Sequence, residues 1–371
     1  MLECVRVPEV LLPAKNIDLA KWAVVACDQF TSQPEYWEKA DALVGEAPST
    51  LRMIYPEAHL LSESKDPVPQ IHGAMRLYMQ GGVFASPRTG FILTERTTRS
   101  GRRLGLMALI DLAAYDFAPG SRSLIRPTEG TILERIPPRV RVRKDAPLEL
   151  PHVMVLADDP KRTLIEPLYR RCHEMETLYD FEMMLGGGHL RGWAVDDAAQ
   201  VFAALAELPS LKGEDPILFA VGDGNHSLAT ARQCYLDNPS KGTRYALVEV
   251  VNLYDDSLVF EPIHRLVEGV DERALRDAAA SRGITLDGGD VRKVQPFLDA
   301  WLPEGAKLDY IHGDGALAEL AGREGFCGIR LAAIDKGTLF PSLCGGQVLP
   351  RKAFSMGDAE EKRYYMECRK L

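Results

Sequence analysis

The segment Pro216-Ile-Leu-Phe-Ala-Val-Gly-Asp-Gly-Asn-His-Ser-Leu-Ala-Thr-Ala-Arg232 contains the clearest structural signal in the chain. Its residues 217–221 form a continuous apolar run of strand length, and Gly222-Asp-Gly224 is typical of a tight turn. Asn225 is a favourable N-cap residue, and the apolar residues after it recur at helical spacing. The segment therefore predicts a buried strand, a glycine turn and a helix.

A junction of this kind attracts anions. The amides at a helix start have no carbonyl partners within the helix, and the helix dipole adds positive potential, so a phosphate or carboxylate fits there. His226, Ser227 and Thr230 would add polar side chains around the first turn. Asp223 would repel an anion unless a metal ion, a cation or a proton lies between them, and Mg²⁺ held between Asp223 and phosphate oxygens would resolve this conflict.

A purely structural interpretation of the same residues carries about equal weight. Asp-Gly and Gly-Asn pairs are common in turns, and a histidine at such a position often only satisfies a backbone group. Ser227 stands where the third glycine of the dinucleotide-binding pattern G-x-G-x-x-G belongs, so that fingerprint is absent. The segment alone leaves both interpretations open.

Patterns elsewhere predict a mixed α/β protein. Trp22 to Ala26 is typical of a strand that leads into the turn Cys27-Asp28-Gln29, and Ser32-x-x-Glu35 has the spacing of a capping box at a helix start. Runs 90–95 and 104–112 suggest a hairpin. Further helices are predicted over 161–185, 196–208, 272–282, 291–301 and 316–323, and further strands over 244–253, 308–312 and 328–333.

We divide the chain into three regions on these patterns. Residues 1–118 form an N-terminal α/β region, residues 119–265 a central region with the polar motifs, and residues 266–371 a C-terminal α/β region. The central region includes a basic segment, residues 122–144, within an acidic protein. In that segment, Arg-Val-Arg-Val-Arg at 139–143 alternates in the manner of a solvated edge strand.

Three motifs outside the central turn also carry polar groups. Arg126-Pro-Thr-Glu-Gly130 sets Arg126, Thr128 and Glu129 in a loop constrained by proline and glycine, and such loops often carry chemistry. Phe260-Glu-Pro-Ile-His-Arg265 sets an imidazole beside a permanent cation, which suits phosphate binding; an arginine in a surface salt bridge is the alternative. Pro350-Arg-Lys-Ala-Phe-Ser355 is basic, and a solvated tail is the default interpretation.

Composition limits the classes of function. The 371 residues include 44 Lys+Arg and 53 Asp+Glu, so the formal net charge is −9, which disfavours nucleic acid as a partner. The apolar run 104–114 is too short to span a bilayer, and residues 1–16 lack the order of a secretory signal. Seven dispersed cysteines favour reduced thiols. We expect a cytoplasmic protein without a membrane segment that binds a small molecule, with homo-oligomerisation left open.

Motifs of several enzyme classes are absent from the sequence. The dipeptide Gly-Lys never occurs, so there is no Walker A motif. Thr177 replaces the second histidine that a zincin helix starting at His173-Glu174 would need. No G-x-S-x-G elbow is present. An ordinary hydrolase therefore has little support.

Taken in chain order, the motifs resemble the bacterial and archaeal domain-of-unknown-function family 1015. The resemblance spans nearly the whole chain and rests on the Asp28 turn, Arg126-Pro-Thr-Glu129, Gly222-Asp-Gly-Asn-His226, His264-Arg265 and Pro350-Arg-Lys352. The central motif of that family is similar to that of the ParB, sulfiredoxin and free serine kinase superfamily, in which a turn at a helix start binds nucleotide phosphates. The resemblance implies a ParB/sulfiredoxin-like core with additional α/β elements. Family members usually read Asp-Gly-His-His-Arg, so Asn225 and Ser227 depart from the pattern and remove an arginine.

The leading hypothesis is a phosphotransferase that uses Mg²⁺ and a nucleotide, ATP or ADP, and acts on a small hydroxylated metabolite such as serine. The carboxylates would ligate the metal or take the hydroxyl proton, the arginines would offset developing charge, and the histidines would contact the transferred group. The residues assigned to catalysis are Asp223, His226, Glu129 and His264, and Asp223 and Glu129 are also assigned to metal binding. Those assigned to nucleotide binding are Gly222, Gly224, Asn225, Ser227, Thr230, Arg126, Thr128, Arg265 and Lys352.

Two other classes of function remain open. A regulatory module would bind a nucleotide or metabolite without turnover, or bind DNA as in ParB with a steep dependence on salt. A metal-dependent hydrolase would use Asp223, His226 and Glu129 and would turn over substrate without nucleotide.

Overall fold

The computed structural model describes residues 3–59, 66–131 and 136–371. The chain divides into two compact units, unit 1 (Met1–Pro127, Thr131–Leu258, Asp358–Leu371) and unit 2 (Thr128–Gly130, Val259–Gly357). The chain therefore enters unit 2 twice and returns to unit 1 at its C-terminus. The expected boundaries at 118 and 265 do not follow these units, because residue 265 lies inside a strand of unit 2.

Unit 1 contains both α-helices and β-strands. Its strands are β1 (Val5–Arg6), β2 (Glu9–Val10), β3 (Val24–Val25), β4 (Arg88–Thr89), β5 (Phe91–Thr98), β6 (Gly101–Asp111), β7 (Ile125–Pro127), β8 (Leu148–Glu149), β9 (Met154–Ala157), β10 (Thr177–Glu182), β11 (His189–Val195), β12 (Phe219–Asp223), β13 (Tyr245–Asn252), β18 (Tyr364–Tyr365) and β19 (Arg369–Lys370). Its helices are α1 (Leu19–Trp22), α2 (Pro34–Val44), α3 (Val68–Gln80), α4 (Ile136–Arg143), α5 (Glu166–Arg170), α6 (Ala198–Ala206) and α7 (Asn225–Asp237).

A large mixed sheet organises unit 1. Its strands follow the order β10-β11-β5-β6-β13-β9-β12-β7, and β1 pairs with β6. The pairs β13–β9 and β12–β7 are parallel, whereas β9–β12 and the pairs from β10 to β13 are antiparallel. The protein is therefore of the mixed α/β class that the sequence predicts.

Both faces of this sheet are buried, because neighbouring residues of one strand enter different cores. In β6, Leu106 and Ala108 belong to a core that also contains residues of α6 and α7, while Met107 and Leu109 belong to a second core that contains residues of α2 and α3. Side chains of a strand alternate between its two faces, so helices can cover both sides. Strand β12, which leads to the glycine turn, contributes Val221 to the first core.

Several sequence predictions for unit 1 are confirmed. The hairpin is formed by β5 and β6, which pair from Ile92↔Met107 to Thr98↔Gly101. The strand after Trp22 and the helices that start near residues 34 and 198 are present as β3, α2 and α6. The predicted strand 244–253 is β13.

Three local predictions are wrong. Residues 161–185 contain the short helix α5, a 3₁₀ turn at Cys172–Glu174 and then β10, because pairing of Thr177–Glu182 with β11 overrides the helical pattern. Residues 139–143 belong to helix α4 and not to an edge strand; two prolines at its start preset helical backbone angles. Helix α2 begins at Pro34 with Gln33 as N-cap, and no side chain caps it, so the proposed capping box of Ser32 and Glu35 does not form.

Unit 2 is built on a smaller antiparallel sheet. Its strands are β14 (Phe260–Glu268), β15 (Lys307–His312), β16 (Phe326–Ile329) and β17 (Phe354–Met356), and its helices are α8 (Glu272–Ser281), α9 (Val291–Trp301), α10 (Asp314–Ala321) and α11 (Leu339–Leu343). Strand β14 pairs with all three other strands. The helices predicted at 272, 291 and 316 are confirmed, the last starting two residues early.

The prediction of a solvated tail at 350–355 is wrong. Phe354 begins strand β17, is buried, and stacks on Phe260 with ring centroids 4.2 Å apart. The residues after Gly357 are also largely buried, in unit 1. All seven cysteines are free thiols, in agreement with the sequence. Within the described ranges, the helices are too short or too polar to cross a membrane.

Candidate functional site

The predicted strand, glycine turn and helix are confirmed as β12, Gly224 and α7. Gly224 has φ +78°, and a Cβ atom there would lie 3.0 Å from Val153 Cγ2, so both conformation and space favour glycine. The N-cap residue is Gly224, which corrects the assignment of this role to Asn225. No side chain caps the helix, so the amides of its first turn are left to other acceptors.

Asn225 is the first residue of α7. In the part of the chain that the structure describes, its Oδ1 atom is buried and has no hydrogen-bond partner. A buried polar atom without a partner is rare in a folded protein because it loses its hydrogen bonds to water. Asn225 Oδ1 is therefore an acceptor to which a ligand or a metal-bound water could donate a hydrogen bond.

Two carboxylates lie near this helix start. Asp223 ends strand β12, and its Oδ2 atom lies 3.8 Å from Lys362 Nζ. Asp28 follows strand β3, and its Oδ2 atom lies 4.0 Å from His152 Nε2. Both distances exceed ordinary hydrogen-bond lengths.

His152 connects this cluster to α7 and to the C-terminal segment. Its Nε2 atom lies 2.8 Å from Ser227 Oγ, and its Nδ1 atom lies 2.9 Å from the Tyr365 hydroxyl. The Tyr365 hydroxyl also accepts a hydrogen bond from the Cys27 amide. The imidazole is thus fixed on both nitrogens, and its tautomer decides whether Ser227 donates or accepts.

The charges around His152 set two pKa directions. Burial lowers the pKa of His152 despite the nearby negative charges of Asp28 and Asp223, so the imidazole is neutral near pH 7. Burial alone would raise the pKa of Asp28. His152, a hydrogen bond from Gln29 and the charges of Arg139 and Lys362 outweigh it, so the pKa of Asp28 is lowered. Gln29, Arg139 and Lys362 act on Asp28 whether or not the imidazole carries a proton, so Asp28 is an ionised carboxylate at neutral pH.

Buried arginines fix the segment that carries Lys362 and Tyr365. Arg363 pairs with Glu249 at 2.8 Å and also with Glu367, while its Nε atom donates to the Pro151 carbonyl. Arg96 donates to the Lys362 carbonyl and lies 4.8 Å from the centre of the Tyr364 ring. Because these ion pairs are shielded from water, losing one partner would leave a buried charge. They hold Lys362 in place.

The other predicted residues of unit 1 are engaged within the protein. Arg126 is buried, donates to both carboxylate oxygens of Asp215 at 2.8 and 2.5 Å, and also donates to the Ser123 carbonyl. The Thr230 hydroxyl donates to the His226 carbonyl at 2.7 Å. Arg126 and Thr230 therefore have structural hydrogen bonds where phosphate contacts were predicted.

The remaining predicted residues belong to unit 2. Arg265 has 0% exposure, and all three of its side-chain nitrogens donate to protein oxygens, namely Gln295 Oε1 at 2.5 Å, Ile263 O at 2.6 Å and Arg351 O at 3.2 Å. Burial lowers the pKa of Arg265 to about 10, so it stays charged at pH 7. The prediction that Arg265 offsets charge on a phosphate is therefore not supported by its surroundings.

His264, Glu129 and Lys352 likewise have partners in unit 2. His264 Nδ1 accepts from the Leu331 amide at 3.1 Å, and His264 Nε2 lies 3.0 Å from Asp314 Oδ1. Glu129 Oε2 accepts from the Lys352 amide at 2.9 Å, and Lys352 has an uncommon φ of +56°. Thr128 is buried, and its carbonyl accepts from the Leu349 amide. The loop 128–130 thus holds the segment 349–352.

The predicted metal pair is divided between the units, with Asp223 in unit 1 and Glu129 in unit 2. Over residues 3–59, 66–131 and 136–371, no group of three or more His, Cys, Asp or Glu side chains is placed to hold a metal ion. Mg²⁺ needs fewer protein ligands, since it is usually bound by one or two carboxylates together with waters and phosphate oxygens. Asp223 fits that donor set.

Sequence reasoning missed three members of the cluster. Asp28 was noted only as part of a turn, and His152, Lys362 and Tyr365 were assigned no role. Tyr365 is 213 positions from His152 in the sequence, so no local pattern could have joined them. Only Asp28 had a signal in the sequence: like Asp223, it follows a short apolar strand that ends at a polar turn.

The chain belongs to the family described as "Protein of unknown function (DUF1015)", whose model matches residues 11–368. No curated protein matches the sequence significantly. Among solved structures, the chain is similar to free serine kinase in complex with AMP, at 12% identity and a TM-score of 0.39 over 70% of this chain and 90% of that one. A variant of that kinase in complex with ADP matches at 12% identity and a TM-score of 0.39 over 70% and 91%. A conserved hypothetical protein from Pyrococcus furiosus matches at 10% identity and a TM-score of 0.34 over 71% and 94%.

Proposed function

We propose that the protein transfers a phosphoryl group from a Mg²⁺-bound nucleotide to the hydroxyl group of a small metabolite. The observation that supports this most directly is the grouping of Asp28, Asp223, His152 and Lys362 around the start of α7 in unit 1. Phosphoryl transfer depends mainly on positioning and on charges aimed at phosphate oxygens. The cluster offers main-chain amides, a lysine and two carboxylates for those tasks.

The nucleotide phosphates would lie against the first turn of α7. That helix has 13 residues, so its dipole places partial positive charge on the same uncapped amides. Lys362 adds a flexible cation, and Asn225 Oδ1 can accept a hydrogen bond from a metal-bound water. Mg²⁺ bound by Asp223 would offset the repulsion between the Asp223 carboxylate and the negatively charged phosphates.

Asp28 is the best candidate to accept the proton of the substrate hydroxyl. Its lowered pKa keeps it ionised at neutral pH, and an aspartate serves the same purpose in protein kinases. His152 would orient the hydroxyl through Ser227, whose Oγ atom lies 2.8 Å from the imidazole. We assign this role to Asp28 and not to Glu129, because Glu129 Oε2 accepts a hydrogen bond from the Lys352 amide in unit 2.

A thermal-shift matrix of ADP, ATP, Mg²⁺ and hydroxy-amino acids tests the proposal. A ligand at 100 times its dissociation constant stabilises the folded state by about 2.7 kcal/mol, which is readable in a protein of this size. We expect a nucleotide to stabilise the protein more with Mg²⁺ than without it, and Asp223→Ala to bind nucleotide but lose transfer. The proposal fails if no nucleotide stabilises the wild-type protein, or if Asp223→Ala turns over normally.

A further inference from the structure

A cavity of about 150 Å³ lies in unit 1 beside the start of α7. Much of its wall is apolar and comes from different elements: Met53 and Ile54, Met75 of α3, Val142 of α4, Ala231 of α7 and Leu247 of β13. Protein interiors are close-packed, and voids larger than a water molecule are few. A cavity of this volume with an apolar lining is large enough for a benzene-sized group.

One end of the cavity is polar and is formed by residues next to the start of α7. Ser227 and His152 both line it, and they are 2.8 Å apart between Oγ and Nε2. The same imidazole nitrogen lies 4.0 Å from Asp28, the proposed proton acceptor. A hydroxyl group placed at Ser227 and His152 would therefore have Asp28 close by, with the apolar wall beyond it.

Thr230 also lines the cavity but adds little polarity. Its hydroxyl donates to the His226 carbonyl within α7, so this polar group is already satisfied. The lining also includes four charged side chains, which form two ion pairs, Arg139 with Glu57 and Arg143 with Glu149. These charges are already paired, and the rest of the wall next to Ser227 and His152 is an aliphatic body. Burying a charged or strongly polar group against such a body is unfavourable, whereas burying a hydrocarbon group is favourable.

We propose that the cavity holds the apolar part of the substrate, so that the substrate is a compact alcohol with a branched or aromatic hydrocarbon group of about six or seven non-hydrogen atoms. This inference rests on the proposed function for the role of the bound alcohol as phosphoryl acceptor. Serine has only Cα and Cβ as hydrocarbon and also carries an ammonium and a carboxylate group, so it would leave most of the apolar wall without contacts. The cavity therefore selects against serine and favours an apolar hydroxy compound.

Binding of simple alcohols in the absence of nucleotide tests the cavity directly. Titrations followed by calorimetry or NMR would compare glycerol, isobutyl alcohol, benzyl alcohol and 2-naphthylmethanol with the wild-type protein. We expect affinity to rise from glycerol to benzyl alcohol by at least about tenfold and to fall again for the naphthyl compound, which exceeds the cavity. Equal affinity for glycerol and benzyl alcohol, or no binding of benzyl alcohol, would overturn the inference.

Filling the cavity from α7 gives a second test. Ala231→Leu adds a side chain inside the cavity, and the matched control Gln233→Leu adds the same side chain on the same helix at a position that does not line it. We expect Ala231→Leu to weaken benzyl alcohol binding about tenfold or more and Gln233→Leu to leave it unchanged. If Ala231→Leu does not fold, the wild-type alcohol series still decides the matter.

The two proposals fail in different ways. If benzyl alcohol binds in a size-dependent manner but no nucleotide binds, the cavity is a ligand site and the phosphotransferase proposal is wrong. If nucleotide binds and serine is phosphorylated faster than apolar alcohols, the function stands and the cavity inference is wrong. Measuring kcat/KM for serine and for benzyl alcohol with the same nucleotide separates these outcomes.

Discussion

The start of α7 in unit 1 and the strand β14 in unit 2 carry polar motifs of similar prominence in the sequence, yet their side chains are used differently. Around α7, Lys362 and Asp223 lie 3.8 Å apart, and the helix amides are uncapped. On β14, Arg265 is wholly buried, and each of its nitrogens donates to a protein oxygen. A charged motif therefore indicates a ligand site only where some of its donors and acceptors have no hydrogen-bond partner within the protein.

The largest expected effect concerns stability in unit 2. Arg265→Met would remove a buried cation and leave the Gln295 side chain and two carbonyls without donors, so the free energy of unfolding should fall by about 3 kcal/mol. Urea denaturation measures this change. The matched control, Arg273→Met on the exposed surface of α8, should change stability by less than about 0.5 kcal/mol. A destabilisation of Arg265→Met no larger than that of the control would contradict the structural role of Arg265.

The next effect concerns catalysis in unit 1. Asp223→Asn keeps the shape of the side chain but removes its charge, so phosphoryl transfer should fall by at least about 100-fold while the melting temperature changes little. Steady-state kcat and thermal unfolding measure the two quantities. Asp237→Asn, at the far end of α7, provides the control and should keep wild-type turnover. Equal activity of the two variants would remove Asp223 from the reaction.

A smaller effect is expected for nucleotide affinity. Lys362→Met retains the buried stem but loses the ammonium group near Asp223, so the dissociation constant of a Mg²⁺-nucleotide should rise about tenfold. Calorimetric titration gives this constant. Lys370→Met, an exposed lysine of the same C-terminal segment, should bind as the wild type does. Identical constants for both variants would show that Lys362 does not contact the phosphates.

The smallest effect concerns pH. Burial lowers the pKa of both His152 and His264, so below about pH 6.5 the unfolded chain binds protons that the folded protein does not. Stability should therefore be full above that pH and should fall as the pH drops toward the folded pKa values. His152→Gln and His264→Gln should each flatten this decline, measured by denaturation between pH 5 and 8. Only His152→Gln should also alter the pH profile of turnover. If His264→Gln altered that profile as well, the statement that the site lies in unit 1 and not on β14 would be contradicted.

The sequence predicts features that depend on local spacing. The glycine turn before α7, the β5–β6 hairpin and helices α8 and α9 follow from periodicity and turn residues close together in the chain. Helix α4 was missed because the alternation of arginine and valine over 139–143 is the pattern of a strand, whereas the two prolines before it start a helix. The ParB/sulfiredoxin-like character of the core stays a prediction from the family resemblance.

The candidate site was only half predictable, for a physical reason. Asp223 and Asn225 lie in one segment whose turn chemistry is visible in the sequence. His152 and Lys362 join them only through tertiary structure, since buried pairs such as Arg363 with Glu249 return the C-terminal segment to unit 1. Arg126 and Arg265 were predicted as ligands because a sequence does not reveal which arginines already have partners.

The central claim is that nucleotide phosphates bind to the first turn of α7. The most direct measurement is an NMR titration of the isotopically labelled full-length protein with Mg²⁺-ADP and Mg²⁺-ATP, following the amide signals of Asn225 and Ser227 and, for comparison, those of Ile263 and Arg265. We predict saturable shifts of the Asn225 and Ser227 signals, with those of Ile263 and Arg265 unchanged. Saturable shifts confined to Ile263 and Arg265, or no shifts with either nucleotide, would contradict the claim.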